Sequence, residues 1–240
     1  MTATQTPSAD QSAAILTAKI RVQEPFFFVR YGDGALECMA GRKGSTCDQE
    51  QYSPELGAEL AACWRALMKR PELVYVGDWQ SASFEKHDQG SRYAEQYEAI
   101  FEGAEPTRLH FEALLLMRES AELVDFYRAV KQDTRRKLFM GPAWNAGAAR
   151  MLEATHLVTP MGDLWGQRNR LLNELQHFDF DVLLYGAGMA GNSPAIRCWE
   201  KYPERTYVNL GSAMDPLFHG RTRRQQLDMV AATRLFREGA

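Results

Sequence analysis

The chain has 240 residues, of which 45% are hydrophobic and 25% charged, and its formal net charge is -3 at pH 7. Length and composition suit one globular domain, and the charge excludes a global basic field that would collect nucleic acid. No apolar run is long enough to span a bilayer, and the polar N-terminus lacks the apolar core of a signal peptide. We therefore expect a cytoplasmic protein without a membrane span.

The first residues are rich in Thr, Ser and Ala, which predicts a flexible tail over residues 1–10 and a single α/β domain over residues 11–240. The four cysteines form no C-x-x-C pair, which disfavours a zinc cluster. They are interpreted as free thiols in a reducing compartment: Cys38, Cys47, Cys63 and Cys198.

Short apolar runs bounded by Pro or Gly predict six strands, over residues 26–29, 73–76, 137–140, 156–158, 182–185 and 206–208. Amphipathic spacing predicts helices over residues 53–68, 120–130, 163–175, 193–201 and 217–236. Residues 81–116 have the least regular pattern and are predicted to form a lid or subdomain.

This alternation of strands and helices predicts a Rossmann-like, mainly parallel twisted sheet with helices on both faces. Ligands of such sheets bind beyond the carboxyl ends of the strands. The loops predicted at that edge are rich in Gly, Asp, Trp and Asn, which indicates an enzyme. They cover residues 30–34, 77–80, 141–145, 160–165, 186–191 and 209–216.

The first motif follows the Phe-rich strand and reads Arg30-Tyr-Gly32-Asp33-Gly34. The glycines allow a sharp bend and a close approach to a ligand, while a carboxylate at a strand end can coordinate a divalent cation together with phosphates. Arg30 is suited to pairing with a phosphate or fixing Asp33. If a helix starts here, Glu37 shares a face with Asp33. A plain turn with an N-cap aspartate is the structural alternative.

The second motif places Gly186, Gly188 and Gly191 in a G-x-G-x-x-G pattern after a predicted strand. Such a loop presents backbone N–H groups to a diphosphate, and Glu204 lies roughly where a ribose partner is expected. However, only 49 residues follow Gly191, too few to complete a Rossmann domain. A nucleotide-binding loop, a tight structural turn and a redox-cofactor site all remain open.

The third motif ends the last predicted strand and contains Ser212 and Asp215. Three arginines follow within four residues, and arginine binds phosphate in a bidentate manner: Arg221, Arg223 and Arg224. A solvated helix start is the alternative interpretation of these arginines.

The fourth motif comprises two strand-end loops that carry Trp144 and Trp165. Either indole could stack on a base or a sugar ring, although a packed tryptophan is the commoner outcome. Asp163 is a possible general base, and it is also the predicted N-cap of the helix over residues 163–175. No histidine pair has metal-site spacing, and neither G-x-S-x-G nor a P-loop occurs.

Residues 28–34, Phe-Val-Arg-Tyr-Gly-Asp-Gly, resemble the R-[FY]-G-D-G-E signature of the GT-D-type glycosyltransferases. Further strand-end motifs follow in the same order as in that family, so the resemblance covers roughly residues 25–220. It implies transfer of a sugar from a nucleoside diphosphate sugar, with a UDP-sugar as the expected donor. Residues 11–240 would then be one nucleotide-sugar-binding catalytic domain.

The resemblance also implies a divalent metal, Mn²⁺ or Mg²⁺, bound through a D-x-E sequence. That sequence maps onto Asp33, Gly34 and Ala35, so alanine replaces the glutamate here. Glu37 is the nearest carboxylate that could compensate. The expected donor-binding residues are Arg30, Gly32, Gly34, Gly186, Gly188, Gly191, Ser212, Arg221 and Arg223, and the expected catalytic residues are Asp33, Asp163 and Asp215.

The acceptor is expected to be a hydroxyl of a glycan or of a modified DNA base. The DNA alternative depends on the arginines at 221–224 and on Arg135-Arg136-Lys137. Two other functions compete with transfer. One is a nicotinamide-dependent oxidoreductase that uses the glycine-rich loop, and the other is a non-catalytic nucleotide-binding or assembly protein, which the loss of the glutamate at Ala35 favours.

Overall fold

A computed structural model describes residues 6–46, 49–78, 96–101, 103–114 and 120–214. Its described residues form a seven-stranded sheet in which every strand pairing is parallel. The spatial order is β3-β2-β1-β7-β6-β4-β5. The strands are β1 Phe27–Val29, β2 Val74–Asp78, β3 Thr107–His110, β4 Lys137–Pro142, β5 Thr155–Thr159, β6 Val182–Tyr185 and β7 Thr206–Asn209.

Helices cover both faces of this sheet. The described helices are α1 Ala9–Arg21, α2 Asp33–Met39, α3 Pro54–Leu67, α4 Ala121–Gln132, α5 Ala146–Met151, α6 Arg168–His177 and α7 Asn192–Lys201. Alternate residues of β1 enter two separate cores: Phe27 and Val29 pack with α2, α3, α6 and α7, whereas Phe28 packs with α1, α4 and α5. The predicted Rossmann-like α/β fold is confirmed.

The sequence patterns missed three elements: β3, α1 and the short helix α5 Ala146–Met151. β3 reads Thr-Arg-Leu-His and lies at the sheet edge, where only Leu109 is fully buried, so it lacks an apolar run. α1 begins at Ala9, inside the predicted tail, and Ser8 and Gln11 form a capping box at its start. Within the tail, Thr6 Oγ1 also donates to Asp78 Oδ2 at 2.6 Å.

The helix predicted over residues 163–175 begins later, because α6 starts at Arg168 with Gln167 as its N-cap. Asp163 is therefore not the N-cap, and that prediction was wrong. Residues 163–167 instead form turns, and Asp163 Oδ2 accepts a hydrogen bond from Gln167 Nε2 at 3.3 Å.

The basic residues 135–137 lie at the amino ends of the strands, at the edge opposite the predicted site. Arg135 binds Asp133, and Lys137 Nζ donates to three carbonyl oxygens at the end of α4. Arg136 donates to Asp181, and these hydrogen bonds lower the pKa of that carboxyl to about 2. These charges serve the fold, which removes one support for a DNA acceptor.

Three thiols in the described part of the chain, Cys38, Cys63 and Cys198, are free and buried, as predicted. Cys47 lies outside the described residues. None of the helices within the described ranges is both long and apolar enough to cross a membrane.

A partly buried carboxylate joins α3 to α7. Glu59 Oε1 accepts from Ser193 Oγ at 2.8 Å and from Arg197 Nε at 2.9 Å, while Glu59 Oε2 accepts from Arg197 Nη2 at 3.0 Å. Burial alone would raise the pKa of Glu59, but the hydrogen bonds from Arg197 and Ser193 outweigh it and lower the pKa below its ordinary value of 4.5. The ionised form is therefore favoured by folding.

Replacing Glu59 by Gln should weaken this link by about 1–2 kcal/mol and lower Tm by several degrees at pH 7. Because the folded-state pKa is depressed, the contribution of Glu59 is present above pH 4.5 and is lost as the pH falls through the folded pKa. The variant should thus lose less stability than the wild type on acidification, as measured by thermal unfolding from pH 7 to pH 3. Exposed Glu72→Gln is the control, and a wild-type pH profile for Glu59→Gln would contradict the prediction.

Candidate active site

Asp33 is the first residue of α2 and lies immediately beyond β1 at the carboxyl edge of the sheet. Its side chain is exposed, and Asp33 Oδ1 accepts from the backbone N–H of Gly34 at 2.9 Å. A Cβ added at Gly32, the N-cap, would meet no atom of the described residues within 4 Å, so none of these residues covers the turn at Gly32. A helix does start here, which is the condition under which Glu37 was expected to share a face with Asp33, and its positive N-terminal end favours an anion.

Glu37 follows one turn later on α2, as the sequence predicted for a shared helix face. Its Oε2 lies 2.8 Å from Arg42 Nε, and the side chain is mostly shielded from solvent. Ala35, which stands where the resembled signature has glutamate, is 1% exposed and packs in the core beneath α2. The described residues contain no group of three or more His, Cys, Asp or Glu side chains that could hold a metal. Of Asp33, Ala35 and Glu37, it is therefore Asp33 that presents an exposed carboxylate.

Arg30 lies beneath this turn and bonds to the backbone. Its Nη1 donates to the Phe111 carbonyl at 3.2 Å, and its Nη2 donates to the Leu210 carbonyl at 2.5 Å. Burial lowers the pKa of this guanidinium to about 10. A Cβ at Gly211 would lie 2.2 Å from Nη2, so the arginine is closely enclosed. Arg30 thus braces the loops after β3 and β7, a role the sequence did not indicate.

Gly34 is the point where three separate segments meet. A Cβ at this glycine would lie 3.2 Å from Tyr52 Oη, 3.3 Å from Thr46 Cγ2 and 3.9 Å from Met189 Sδ. The turn after β1 is therefore in contact with the segment before α3 and with the glycine-rich loop after β6. The sequence predicted the proximity of the two strand-end loops, but it gave no reason to include Thr46 or Tyr52.

The glycine-rich loop has steric reasons for its glycines. A Cβ at Gly186 would lie 2.5 Å from the Gly211 carbonyl, and one at Gly191 would lie 2.6 Å from Ala187. Gly188 is exposed and has a φ of 58°, which favours glycine. The N–H of Gly191 is already bonded to the Ala187 carbonyl at 3.1 Å. Close packing thus accounts for the pattern without a dinucleotide.

Glu204 cannot serve as the ribose partner of this loop. It precedes β7, at the amino end of the strand, whereas the glycine-rich loop follows β6 at the carboxyl end. The sequence-based interpretation of Glu204 was therefore wrong, and the oxidoreductase alternative loses its acidic residue.

Buried amides connect the loops at the centre of this edge. Asn209 Nδ2 donates to Asn192 Oδ1 at 2.9 Å and to the Arg30 carbonyl at 3.3 Å, and Asn209 Oδ1 accepts from Gly211 N at 2.8 Å. Tyr185 Oη also donates to Asn192 Oδ1 at 2.9 Å. This network fixes the ends of β1, β6 and β7 relative to one another.

The loop after β5 is held by Glu50, which the sequence analysis overlooked. This buried carboxylate accepts from the N–H groups of Leu164, at 2.8 Å, and Trp165, at 3.3 Å. The Arg168 guanidinium lies 3.7 Å from the centre of the Trp165 ring, so a cation already covers one face of that indole. Asp163 is exposed beside this turn.

Ser212 is partly buried in the turn that follows Leu210. The other predicted residues of this region lie outside the described part of the chain: Asp215, Arg221, Arg223 and Arg224. Their roles remain predictions, as does the helix over residues 217–236.

Strand order and packing define a Rossmann-like α/β protein with its loops gathered at one edge. The chain matches no protein-family model and no curated protein sequence. Its fold is that of solved DUF1792 structures. One, from Streptococcus sanguinis and described as a new glycosyltransferase, shares 16% identity with a TM-score of 0.63, over 87% of this chain and 81% of that one. Another, described as having a distinct glycosyltransferase fold, shares 15% identity with a TM-score of 0.57, over 97% of this chain and 94% of that one.

The contacts of Arg30 predict a structural role that a ligand-free measurement can detect. Arg30→Lys keeps the charge but cannot reach both carbonyl groups in the same planar geometry. We expect a loss of about 1–3 kcal/mol and a clear fall in Tm without any nucleotide. Arg128→Lys on the exposed face of α4 is the matched control, and it should change Tm little. A wild-type Tm for Arg30→Lys would show that the two carbonyl contacts do not brace the fold.

Proposed function

We propose that the chain is a glycosyltransferase that moves a sugar from a nucleoside diphosphate sugar to a hydroxyl acceptor. The observation that carries the proposal is the exposed Asp33 carboxylate at the start of α2, at the carboxyl edge of the sheet, where folds of this kind bind their ligands. The shared fold supports it, because the similar structures are themselves described as glycosyltransferases. A UDP-sugar is the first donor to test.

The chemical demand of the reaction is stabilisation of the leaving diphosphate. Asp33 would hold a divalent ion such as Mn²⁺ or Mg²⁺ jointly with phosphate oxygens, since these ions bind through one or two carboxylates plus substrate phosphates. When bound, the ion supplies charge stabilisation. Glu37 could join only by giving up Arg42, so the proposal depends on Asp33.

Deprotonation of the acceptor hydroxyl needs a carboxylate at the same edge. Asp163 is exposed in the turn after β5, and its contact in that turn is the neutral amide of Gln167. We propose Asp163 as this base, with Asp215 as the other choice. The proposed acceptor is a saccharide, because the described basic residues 135–137 are at the opposite edge and are engaged with acidic side chains and carbonyl groups.

A second function is favoured by one observation. Ala35 is buried where the family carries a carboxylate, which leaves fewer ligands for a metal. A non-catalytic nucleotide-binding protein would retain the pocket and bind nucleotide without consuming a donor sugar. The following two experiments separate this possibility from catalysis.

Tm should be measured by thermal shift with a panel of nucleoside diphosphates and nucleoside diphosphate sugars, each with and without Mn²⁺. At least one nucleoside diphosphate sugar should raise Tm, because a ligand that binds only the folded state stabilises it. The increase should grow with Mn²⁺ if Asp33 shares a metal with the diphosphate. Reduced nicotinamide cofactor is the control and should give no shift. Absence of a shift with every nucleotide, from a folded protein, would contradict the proposal.

Asp33→Asn should slow transfer by at least about a hundredfold, since it removes the carboxylate that would hold the divalent ion which stabilises the leaving diphosphate. Its Tm without ligand should stay near that of the wild type, because the side chain is exposed. Donor consumption measured as released nucleoside diphosphate tests this, with exposed Asp10→Asn as the matched control. Turnover by Asp33→Asn at the wild-type rate would contradict the assignment of Asp33 to the site. If the wild-type protein binds nucleotide but shows no turnover, the non-catalytic function is favoured.

A further inference from the structure

Asn145 is a buried amide at the carboxyl edge that the proposed mechanism does not use. It ends the short 3-10 turn Ala143–Asn145, which directly follows β4, and only 1% of its surface is exposed. Among the described residues, its Oδ1 has no hydrogen-bond partner. Buried amide oxygens normally have one, so the exception requires a physical explanation.

The amide lies across the ends of two neighbouring strands, β4 and β6. A Cβ added at Gly141 would lie 2.9 Å from Asn145 Nδ2, and one at Gly186 would lie 3.6 Å from it. Any side chain at Gly141 would therefore collide with the amide. Glycine at 141 therefore leaves room for Asn145, whereas at 186 a side chain would be in ordinary contact with the amide.

The loops after these two strands leave the sheet in opposite directions. The helix after β4, α5, packs in the core with α1 and α4, whereas the helix after β6, α7, packs in the core on the other face. Adjacent loops that diverge in this way open the crevice in which parallel α/β sheets bind their ligands. Asn145 thus follows one of the two strands between which such a crevice would open.

Two other buried amides at this edge provide a comparison. Asn192 and Asn209 are 1% and 5% exposed, and hydrogen bonds engage both. The fold therefore satisfies amides nearby while leaving the oxygen of Asn145 without a partner. An asparagine with no internal bond adds nothing to core packing that an apolar residue would not provide, whereas it suits a position where a ligand completes the hydrogen bonding.

We propose that the Asn145 carboxamide binds one end of the nucleotide sugar by hydrogen bonding, either the base or the sugar; this rests on the proposed function. Asp33 follows β1, and β7 and β6 separate β1 from β4. Three strand spacings amount to about 14 Å, so Asn145 lies too far from Asp33 to share the diphosphate. A carboxamide offers both an acceptor and donors, which match the N–H and carbonyl edge of a base or the hydroxyl groups of a sugar.

The test compares wild type, Asn145→Ala and Asn145→Ser by calorimetric titration with UDP and with UDP-glucose, or with the nucleotide pair that the thermal-shift panel selects. Tm without ligand should change little in either variant, because no internal hydrogen bond to Oδ1 is lost. Affinity for the diphosphate sugar should fall at least about tenfold in Asn145→Ala. A loss already present with the diphosphate alone assigns the contact to the base, and a loss confined to the diphosphate sugar assigns it to the sugar.

Asn192→Ala is the matched control, since it removes an amide of similar burial whose oxygen accepts two hydrogen bonds, and its ligand-free Tm should fall sharply. Wild-type affinity of Asn145→Ala and Asn145→Ser for both ligands would overturn the Asn145 inference while leaving the proposed function intact. A fall in ligand-free Tm as large as that of Asn192→Ala, with unchanged affinity, would likewise overturn it by showing a structural amide. Failure of the wild type to bind any nucleotide would overturn both proposals.

Discussion

The arrangement of the candidate site depends on one buried asparagine, Asn209, at the carboxyl end of β7. Its amide contacts the Arg30 carbonyl after β1, Asn192 after β6 and the Gly211 N–H on its own loop. Each of these groups would lose a partner if the amide were absent, and an unsatisfied buried polar group costs about 1–3 kcal/mol. The three central strands therefore end in a mutually fixed geometry, and the loops that follow start from that geometry.

Arg30 extends this constraint outwards. Its backbone carbonyl accepts from Asn209, while its guanidinium donates to the carbonyls of Phe111 and Leu210. A buried cation that bonds only to neutral carbonyls retains its charge, and the open turn at Gly32 and Asp33 lies two to three residues further along the chain. Arg30 can thus brace the loops. Its charge can also contribute a positive field beneath a bound anion, because electrostatic interactions are screened less in the protein interior than in water.

The sequence predicts those parts of the fold in which a local pattern and the tertiary environment agree. Buried central strands such as Val182–Tyr185 are continuous apolar runs ending at glycine, so their positions were predicted closely. The edge strand Thr107–His110 has a polar sequence and is specified by pairing with β2, which no local pattern reveals. The whole of α1 was missed, and its first turn in particular is polar and resembles a tail.

The residues of the candidate site likewise fall into those that a local sequence pattern reveals and those that only the fold reveals. The place of Asp33 just beyond β1 could be predicted because the residue type, the flanking glycines and the strand before it all occur within one short segment. Glu50 could not, since its role comes from accepting the N–H groups of residues more than a hundred positions away. Asn145 belongs to this second kind, because an unsatisfied amide is defined by surroundings that only the fold brings together.

Glycine patterns at this edge carry less information about chemistry than their resemblance to cofactor motifs implies. Gly186 is needed because the Gly211 carbonyl lies against it, and Gly211 in turn is needed because Arg30 lies against it. These requirements arise wherever parallel strands end in close contact, with or without a dinucleotide. The turn at Asp33 differs, because its carboxylate is exposed and lies in the first turn of α2, where Asp33 Oδ1 accepts from the Gly34 N–H. With Ala35 buried, a metal at this turn would draw most of its ligands from phosphate oxygens and water, so metal and nucleotide would each strengthen the binding of the other by the same factor.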